Sequence, residues 1–131
     1  MDISTMNNDT KQSVLILEDD EMIRFIVTDS LKVAGFDVKG SADPLSALQI
    51  IEQTKTDVAI VDMRIPKMSG EEFIIRAKKL CPNIHFIIHT GSSDYTISSR
   101  MKDLGISQDD VLIKPVEDMT TFATMVHRLC K

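Results

Sequence analysis

Short apolar runs alternate with longer amphipathic segments along this chain from residue 13 onward. The runs at 14–17 and 58–61 are continuously aliphatic, which is typical of strands buried on both faces of a parallel sheet. The longer segments repeat apolar residues at the spacing of one helix face. We therefore predict strands near residues 13–17, 36–40, 57–61, 84–89 and 110–113, and helices near residues 20–34, 44–54, 70–80, 94–103 and 117–130.

Capping residues stand where several of these helices should begin or end. Gly35 follows the first helix, as a C-terminal cap commonly does, and Asp43 precedes Pro44 at the start of the second. Ser69 and Glu72 are three residues apart and give the sequence pattern of a capping box before the third helix. The chain therefore divides into five strand-helix units, with no internal repeat or linker.

This alternation predicts an α/β fold, with a doubly wound five-stranded parallel sheet and helices on both of its faces. The pattern alone does not fix the strand order, but 2-1-3-4-5 is a common order for such a sheet. That order places a switch point, where open sheets bind ligands, between strands one and three. We expect one domain at residues 13–131, preceded by a flexible polar tail at residues 1–12.

The composition argues against several classes of protein. The net charge is −5 and the 15 basic residues are scattered, whereas nucleic-acid binding needs clustered Lys and Arg. No apolar run reaches the roughly 20 residues that span a bilayer, and the polar amino terminus lacks the features of a signal peptide. Cys81 and Cys130 lie far apart in apolar sequence, which predicts buried reduced thiols. We therefore expect a cytoplasmic protein.

Acidic residues stand at the ends of two predicted strands. Glu18 and Asp19 follow the first strand and Asp62 ends the third, while Asp20 is expected to cap the next helix. If strands one and three are neighbours, these acids converge and repel one another unless a cation lies between them. A hard divalent ion, Mg²⁺ or Mn²⁺, is therefore the expected cofactor.

Further motifs end the third, fourth and fifth strands. Asp62 opens the segment Asp-Met-Arg-Ile-Pro-Lys-Met-Ser-Gly, Thr90 ends the fourth strand, and Lys114 precedes Pro115 at the end of the fifth. Together with the acidic pair, these motifs resemble the receiver domain of two-component response regulators. The resemblance covers nearly the whole chain, from residue 13 to residue 131. It implies the strand order 2-1-3-4-5 and a cis peptide bond before Pro115.

The resemblance makes Asp62 the expected phospho-acceptor. A carboxylate can attack a phosphoryl group and form an acyl phosphate if the charge on the transferring oxygens is neutralised. Asp19, Asp62 and the backbone carbonyl of Arg64 are expected to bind the metal, and Glu18 is expected to act through water. The site would thus combine a nucleophile with its own counter-charge.

The phosphoryl oxygens need hydrogen-bond donors as well as the metal. Lys114 is expected to supply a point charge to one oxygen. The Thr90 hydroxyl and the backbone N–H groups of Met63 and Gly91 are expected to donate to the others. These groups complete the predicted site.

The expected phosphodonor is a phosphohistidine on a sensor histidine kinase or a phosphotransfer protein, and the expected output is binding to an unknown downstream protein. In the family, an aromatic residue three positions before the Lys moves together with the Thr. This alters the surface of the fourth helix, fifth strand and fifth helix, through which a homodimer is possible. Val111 occupies that position here, so we expect the signal to depend on the loop after Thr90 and on the fourth helix.

Two other interpretations remain open. A pseudo-receiver would act as a docking or dimerisation module without accepting phosphate, which Val111 would allow. A phosphohydrolase of the haloacid-dehalogenase type needs a second Asp two residues after the nucleophile, where this chain has Arg64. We expect a switch that takes part in its own phosphorylation and dephosphorylation, and not a turnover enzyme.

Three other side chains are expected to have structural roles. His85 and His89 share one parity on the fourth strand, so both should point away from Thr90. Tyr95 is expected to begin the fourth helix, as a surface residue or as part of a face that binds a partner, and we favour the surface residue.

Overall fold

The computed structural model describes residues 11–131, so the tail predicted for residues 1–12 falls mainly outside the described residues. Within them, strands and helices alternate as the sequence predicts. They are β1 (Ser13–Leu17), α1 (Glu21–Val33), β2 (Asp37–Ser41), α2 (Pro44–Gln53), β3 (Val58–Asp62), α3 (Gly70–Leu80), β4 (His85–Thr90), α4 (Ser99–Asp103), β5 (Val111–Ile113) and α5 (Thr120–Leu129). A 3-10 turn at Gln108–Asp110 precedes β5.

The five strands form one parallel sheet in the order β2-β1-β3-β4-β5, which confirms the predicted fold class and strand order. Leu17 at the end of β1 lies opposite Val61, and Asp62 at the end of β3 lies opposite His89. The carboxyl ends of β1, β3 and β4 therefore meet at one edge of the sheet, where the predicted site residues lie.

Two apolar clusters cover the two faces of the sheet. One packs Leu17 and Val61 against α2, α3 and α4, with Phe73 fully buried at its centre. The other packs Ile16 and Ile60 against α1 and α5. Neighbouring strand residues thus face opposite clusters, which is why β1 and β3 are continuously apolar.

Most of the predicted helix ends are confirmed. The Asp20 side chain accepts a hydrogen bond from the Ile23 N–H at 3.0 Å, and Asp43 accepts one from the Ser46 N–H at 2.9 Å. Gly35 follows α1 with a φ of 101°, a conformation that glycine adopts without steric cost. Asp20 and Asp43 therefore cap helices that begin at the site edge, and Gly35 turns the chain at the opposite edge of the sheet.

Two predicted helix starts are wrong. α4 begins at Ser99 instead of residue 94, because the Ser98 hydroxyl caps the helix by accepting from the Met101 N–H at 3.3 Å. α5 begins at Thr120 instead of residue 117, because the Asp118 carboxylate accepts from the Thr120 N–H at 3.0 Å. Tyr95 consequently lies in a loop before α4 and not in a helix.

The structure also bears on the predictions about membrane-spanning segments and cysteines. No helix within residues 11–131 is long and apolar enough to cross a membrane. Cys81 and Cys130 are free thiols, as predicted, but both are half-buried and not fully buried.

Candidate functional site

The strand ends bring Glu18, Asp62 and Lys114 together, as the sequence predicts. Glu18 is 2% exposed and Asp62 is 5% exposed, so both carboxylates are buried. The Lys114 Nζ lies 2.7 Å from Glu18 Oε1 and 3.5 Å from Asp62 Oδ2. One ammonium thus faces two buried carboxylates, an arrangement that leaves net negative charge in the pocket.

Asp19 completes an acidic cluster with Glu18 and Asp62. Each of the three residues offers a carboxylate oxygen, and these oxygens lie within 4.8 Å of one another. Glu18 Oε1 is buried, and within the described residues its close partner is the Lys114 ammonium group at 2.7 Å. Three carboxylates that share one lysine leave an excess of negative charge, and such an all-oxygen cluster fits a hard divalent cation such as Mg²⁺.

The two buried carboxylates have opposite pKa shifts. Burial raises the pKa of Glu18, and Lys114 only partly offsets this effect. Burial also acts to raise the pKa of Asp62, but the Arg64 N–H, which donates to Oδ1 at 3.0 Å, and the charge of Lys114 outweigh it and lower the pKa. Asp62 is therefore an anion at neutral pH, as a nucleophile must be.

Main-chain contacts fix the position of Glu18. Its N–H donates to the Ser41 carbonyl at 3.0 Å, and Arg24 Nη1 donates to its carbonyl at 2.8 Å. The Arg24 side chain lies over Gly40, where an added Cβ would stand 3.3 Å from the Arg24 side-chain carbons. The Arg24 side chain therefore anchors the main chain at Glu18.

Thr90 and Lys114 are joined through the main chain. Thr90 is 1% exposed, and its carbonyl accepts the Lys114 N–H at 2.7 Å. The Thr90 hydroxyl accepts the Ser92 N–H at 3.2 Å. The Lys114–Pro115 peptide bond is cis, as the resemblance implies. Thr90 thus stands at the same sheet edge as the acidic cluster, with its hydroxyl already engaged by the following loop.

Three backbone groups remain predictions: the N–H groups of Met63 and Gly91 as phosphate donors, and the Arg64 carbonyl as a metal ligand. The Arg64 side chain, two residues after Asp62, is exposed.

His89 is a site neighbour that the sequence reasoning missed. It points away from Thr90, as predicted, but its Nδ1 lies 3.9 Å from Glu18 Oε1 and its ring packs edge-on against Phe122 at 5.1 Å. Burial, and then the charge of Lys114, lower its pKa to about 4, so the imidazole is neutral at pH 7. Strand register was the signal for it, because His89 lies opposite Asp62 and therefore near the acidic cluster.

Comparison with known proteins identifies the family. The family model described as the response regulator receiver domain matches residues 14–126, which include every residue of the site. The chain belongs to the response regulator receiver family. The sequence resemblance and the fold lead to the same assignment.

Relatives of this receiver domain differ in length. It is 31% identical over 94 residues to sporulation initiation phosphotransferase F of Bacillus subtilis, covering 72% of this chain and 76% of that protein. It is 34% identical over 104 residues to a cyclic di-GMP phosphodiesterase of Thermotoga maritima, covering 79% of this chain but 27% of that protein. The chain thus spans only about a quarter of the length of that phosphodiesterase.

Solved structures show the same fold. The chemotaxis protein CheY4 of Vibrio cholerae has a TM-score of 0.77 at 25% identity, covering 92% of this chain and 99% of that one. A response regulator from Burkholderia pseudomallei, solved with a phosphorylated aspartic acid, calcium ion and citrate, has a TM-score of 0.75 at 20% identity. The alignment covers 88% of this chain and 66% of the Burkholderia chain.

Receiver domains are phospho-acceptor switches of two-component systems. As a family they receive phosphoryl groups from histidine kinases or phosphotransfer proteins and bind Mg²⁺ in an acidic pocket. In this chain the structure brings Glu18, Asp19 and Asp62 together in an acidic cluster.

Proposed function

We propose that Asp62 of this receiver domain accepts a phosphoryl group from the phosphohistidine of a sensor kinase or phosphotransfer protein, in a reaction that needs Mg²⁺. The observation that carries the proposal is the environment of Asp62. Its carboxylate is buried, has a lowered pKa, lies 3.5 Å from Lys114 and shares an oxygen cluster with Glu18 and Asp19. Such a group is both nucleophilic and surrounded by the counter-charge that phosphoryl transfer requires.

The reaction forms an acyl phosphate. An Asp62 carboxylate oxygen forms a bond to phosphorus while the bond between phosphorus and the donor imidazole nitrogen breaks, and the electron pair of that bond stays on the nitrogen. Lys114 neutralises charge on one phosphoryl oxygen, and the Thr90 hydroxyl donates to another. Asp19, Asp62 and Glu18 would hold Mg²⁺, which would supply further positive charge when bound.

An apolar surface beside the site is suited to the phosphodonor. α1 starts next to the acidic cluster and exposes Met22 and Phe25, each at 66%, and Ile26 at 42%. A groove of about 230 Å³ continues from α1 to Val116 and Met119, with Lys114 in its lining. A donor helix that buries these side chains would bring its phosphohistidine to Asp62 while excluding water from the reaction.

The second candidate is the pseudo-receiver, and the observation that favours it is the aliphatic Val111 at the usual aromatic position. Such a protein would bind partners without phosphorylation. Only a direct test of phosphorylation separates it from the switch.

The test is incubation with acetyl phosphate and Mg²⁺ followed by intact-protein mass spectrometry. Wild type is compared with Asp62→Asn, and Asp57→Asn at the opposite end of the same strand is the matched control. We expect one added phosphoryl group in wild type and in Asp57→Asn, and none in Asp62→Asn or after chelation of the metal. An unmodified wild type under these conditions would favour the docking module.

A further inference from the structure

The loop between β4 and α4, residues 91–98, accepts a hydrogen bond from the side chain of Gln108 and donates one to it. Gln108 Oε1 accepts the Ile97 N–H at 3.0 Å, and Gln108 Nε2 donates to the Tyr95 carbonyl at 2.9 Å. Gln108 lies in the 3-10 turn before β5, so these two hydrogen bonds, which we call the Gln108 bridge, join the loop to the chain that leads to Lys114. Both ends of one amide side chain are used, which fixes its orientation.

The Gln108 bridge holds Tyr95 in a position in which the Tyr95 hydroxyl is buried without a hydrogen-bond partner among the described residues. The Tyr95 ring packs against the apolar cluster under α2, α3 and α4, against which Val111 also packs. Burial, followed by the charge of Glu71, raises the pKa of this hydroxyl. A buried polar group without a partner destabilises the conformation that contains it, so the packed position of Tyr95 depends on other contacts.

A continuous series of hydrogen bonds connects Tyr95 to the site. The Ser92 N–H donates to the Thr90 hydroxyl at 3.2 Å, and the Tyr95 N–H donates to the Ser92 carbonyl at 3.2 Å. In the Gln108 bridge, Gln108 Nε2 then donates to the Tyr95 carbonyl. Movement of the Thr90 hydroxyl would therefore displace the loop as far as the Gln108 bridge.

We propose that the Gln108 bridge holds Tyr95 in the packed position of the unphosphorylated protein, and that phosphorylation of Asp62 breaks the bridge and releases Tyr95. This inference rests on the proposed function, because the phosphoryl group is what draws the Thr90 hydroxyl away from the Ser92 N–H. Tyr95 then serves, from the loop, as the moving aromatic side chain that Val111 cannot provide. The surface before α4 is the part of the molecule that changes.

The balance of contacts makes this loop suitable for two conformations. The unpaired hydroxyl favours release of Tyr95, whereas ring burial and the two hydrogen bonds of the bridge favour retention. Loss of one hydrogen bond to Ser92 is then sufficient to shift the populations, because a switch needs only a small free-energy difference between its states.

The chain carries its own probe for this test. Tyr95 is the only Tyr and there is no Trp, so the intrinsic fluorescence of the unmodified protein reports on Tyr95 alone. Acrylamide quenching of this fluorescence measures how accessible the ring is to solvent. Intact mass, measured on the same samples, gives the extent of phosphorylation.

The variants separate the bridge from general effects of substitution. Gln108→Met keeps the length of the side chain and removes both hydrogen bonds, while Gln108→Glu keeps the acceptor for Ile97 and removes the donor to the Tyr95 carbonyl. Gln53→Met makes the same chemical change at an exposed position at the end of α2. Because Gln108 is itself exposed, these variants should fold, which circular dichroism checks.

We expect phosphorylation of wild type to increase acrylamide quenching. Unphosphorylated Gln108→Met should already show increased quenching, with the population of the released loop raised about tenfold by loss of two hydrogen bonds. Gln108→Glu should lie between Gln108→Met and wild type, and Gln53→Met should match wild type. The proposal is overturned if Gln108→Met matches wild type, or if wild type becomes phosphorylated by mass without any change in quenching. Absence of the mass shift itself would instead count against the proposed function.

Discussion

An aspartate with a lysine nearby lies at each end of β3, Asp62 as its last residue and Asp57 just before its first. The two aspartates have different roles. At the carboxyl end, Lys114 Nζ lies 3.5 Å from Asp62, and at the amino end Lys55 Nζ lies 3.6 Å from Asp57. The Lys114 side chain is 19% exposed and the Lys55 side chain is 83% exposed. The distances are almost equal, so burial is what distinguishes the two pairs.

Burial matters because water weakens the attraction between charges. The exposed pair at Asp57 is a surface salt bridge of small energetic value, and Asp57 acts mainly as acceptor for the Ser13 N–H at 2.8 Å. The buried pair at Asp62 has a second carboxylate, Glu18, within reach of the same lysine. Residues of the same type therefore stabilise the fold at one end of the strand and form a reactive site at the other.

The largest expected effect separates the two lysines. Lys114→Met should slow phosphorylation by acetyl phosphate about a hundredfold, because a preorganised positive charge near the phosphoryl oxygens is lost. Mg²⁺ affinity should not fall, since the cation no longer shares the pocket with an ammonium group. Lys55→Met should leave the rate unchanged. Equal rates in all three proteins, measured by mass over time, would show that burial does not distinguish the pairs.

The next effect concerns the two histidines of β4. His85, the first residue of the strand, is exposed, and His89, next to its last residue, is buried. The pKa of His89 is about 4 in the folded protein, against an ordinary value of 6.5 for histidine, so the unfolded chain binds the additional proton between these two pH values. The resulting stability is present above pH 6.5 and is lost as the pH falls toward 4.

Wild type should therefore lose about 2 kcal/mol more unfolding free energy than His89→Gln between pH 7 and pH 5. Urea unfolding in metal-free buffer measures this difference. His85→Gln is the control and should keep the acid sensitivity of wild type. If His89→Gln retained that sensitivity as well, the buried position of His89 would not be its cause.

A smaller effect concerns the acids that follow β1. Glu18→Gln should weaken Mg²⁺ binding about tenfold, because it removes a charge that acts on the metal through water. Asp20→Asn should keep the metal affinity, since Asp20 caps α1 and is not part of the acidic cluster. Isothermal titration calorimetry compares the three proteins. Equal weakening in both variants would indicate a general effect of negative charge.

The smallest effect lies at the amino end of β3. Asp57→Ala should lower the free energy of unfolding by about 1 kcal/mol, because the Ser13 N–H loses its acceptor. Lys55→Ala should change it by less than about 0.5 kcal/mol, as expected for an exposed ion pair. Urea unfolding at pH 7 compares them. A larger cost for Lys55→Ala would contradict the structural role given to Asp57.

The parts predicted from sequence are those that short-range pattern and topology determine. Strands buried on both faces must be continuously apolar, so β1 and β3 were predicted closely. The meeting of Glu18, Asp62 and Lys114 follows once the strand order is known, because each residue stands at a strand end. That order came from the family resemblance, since strand pairing between distant segments leaves no local signal.

The parts that were missed depend on tertiary contacts. The start of α4 is set by the Ser98 cap, and Asp94 is an equally plausible cap by composition. The bridge from Gln108 to the loop joins residues 11 and 13 positions apart, and no periodicity reports it. His89 was assigned correctly relative to Thr90, but its approach to Glu18 needed the register between β3 and β4.

Identifying the phosphorylated residue tests directly whether Asp62 is the phospho-acceptor. Borohydride reduces an aspartyl phosphate to homoserine, so protein treated with acetyl phosphate and Mg²⁺ can be reduced, digested and sequenced by mass spectrometry. We predict homoserine at position 62 and unchanged aspartate at positions 19, 20 and 57. Homoserine at any other aspartate, with position 62 unmodified, would contradict the assignment of Asp62 as the phospho-acceptor.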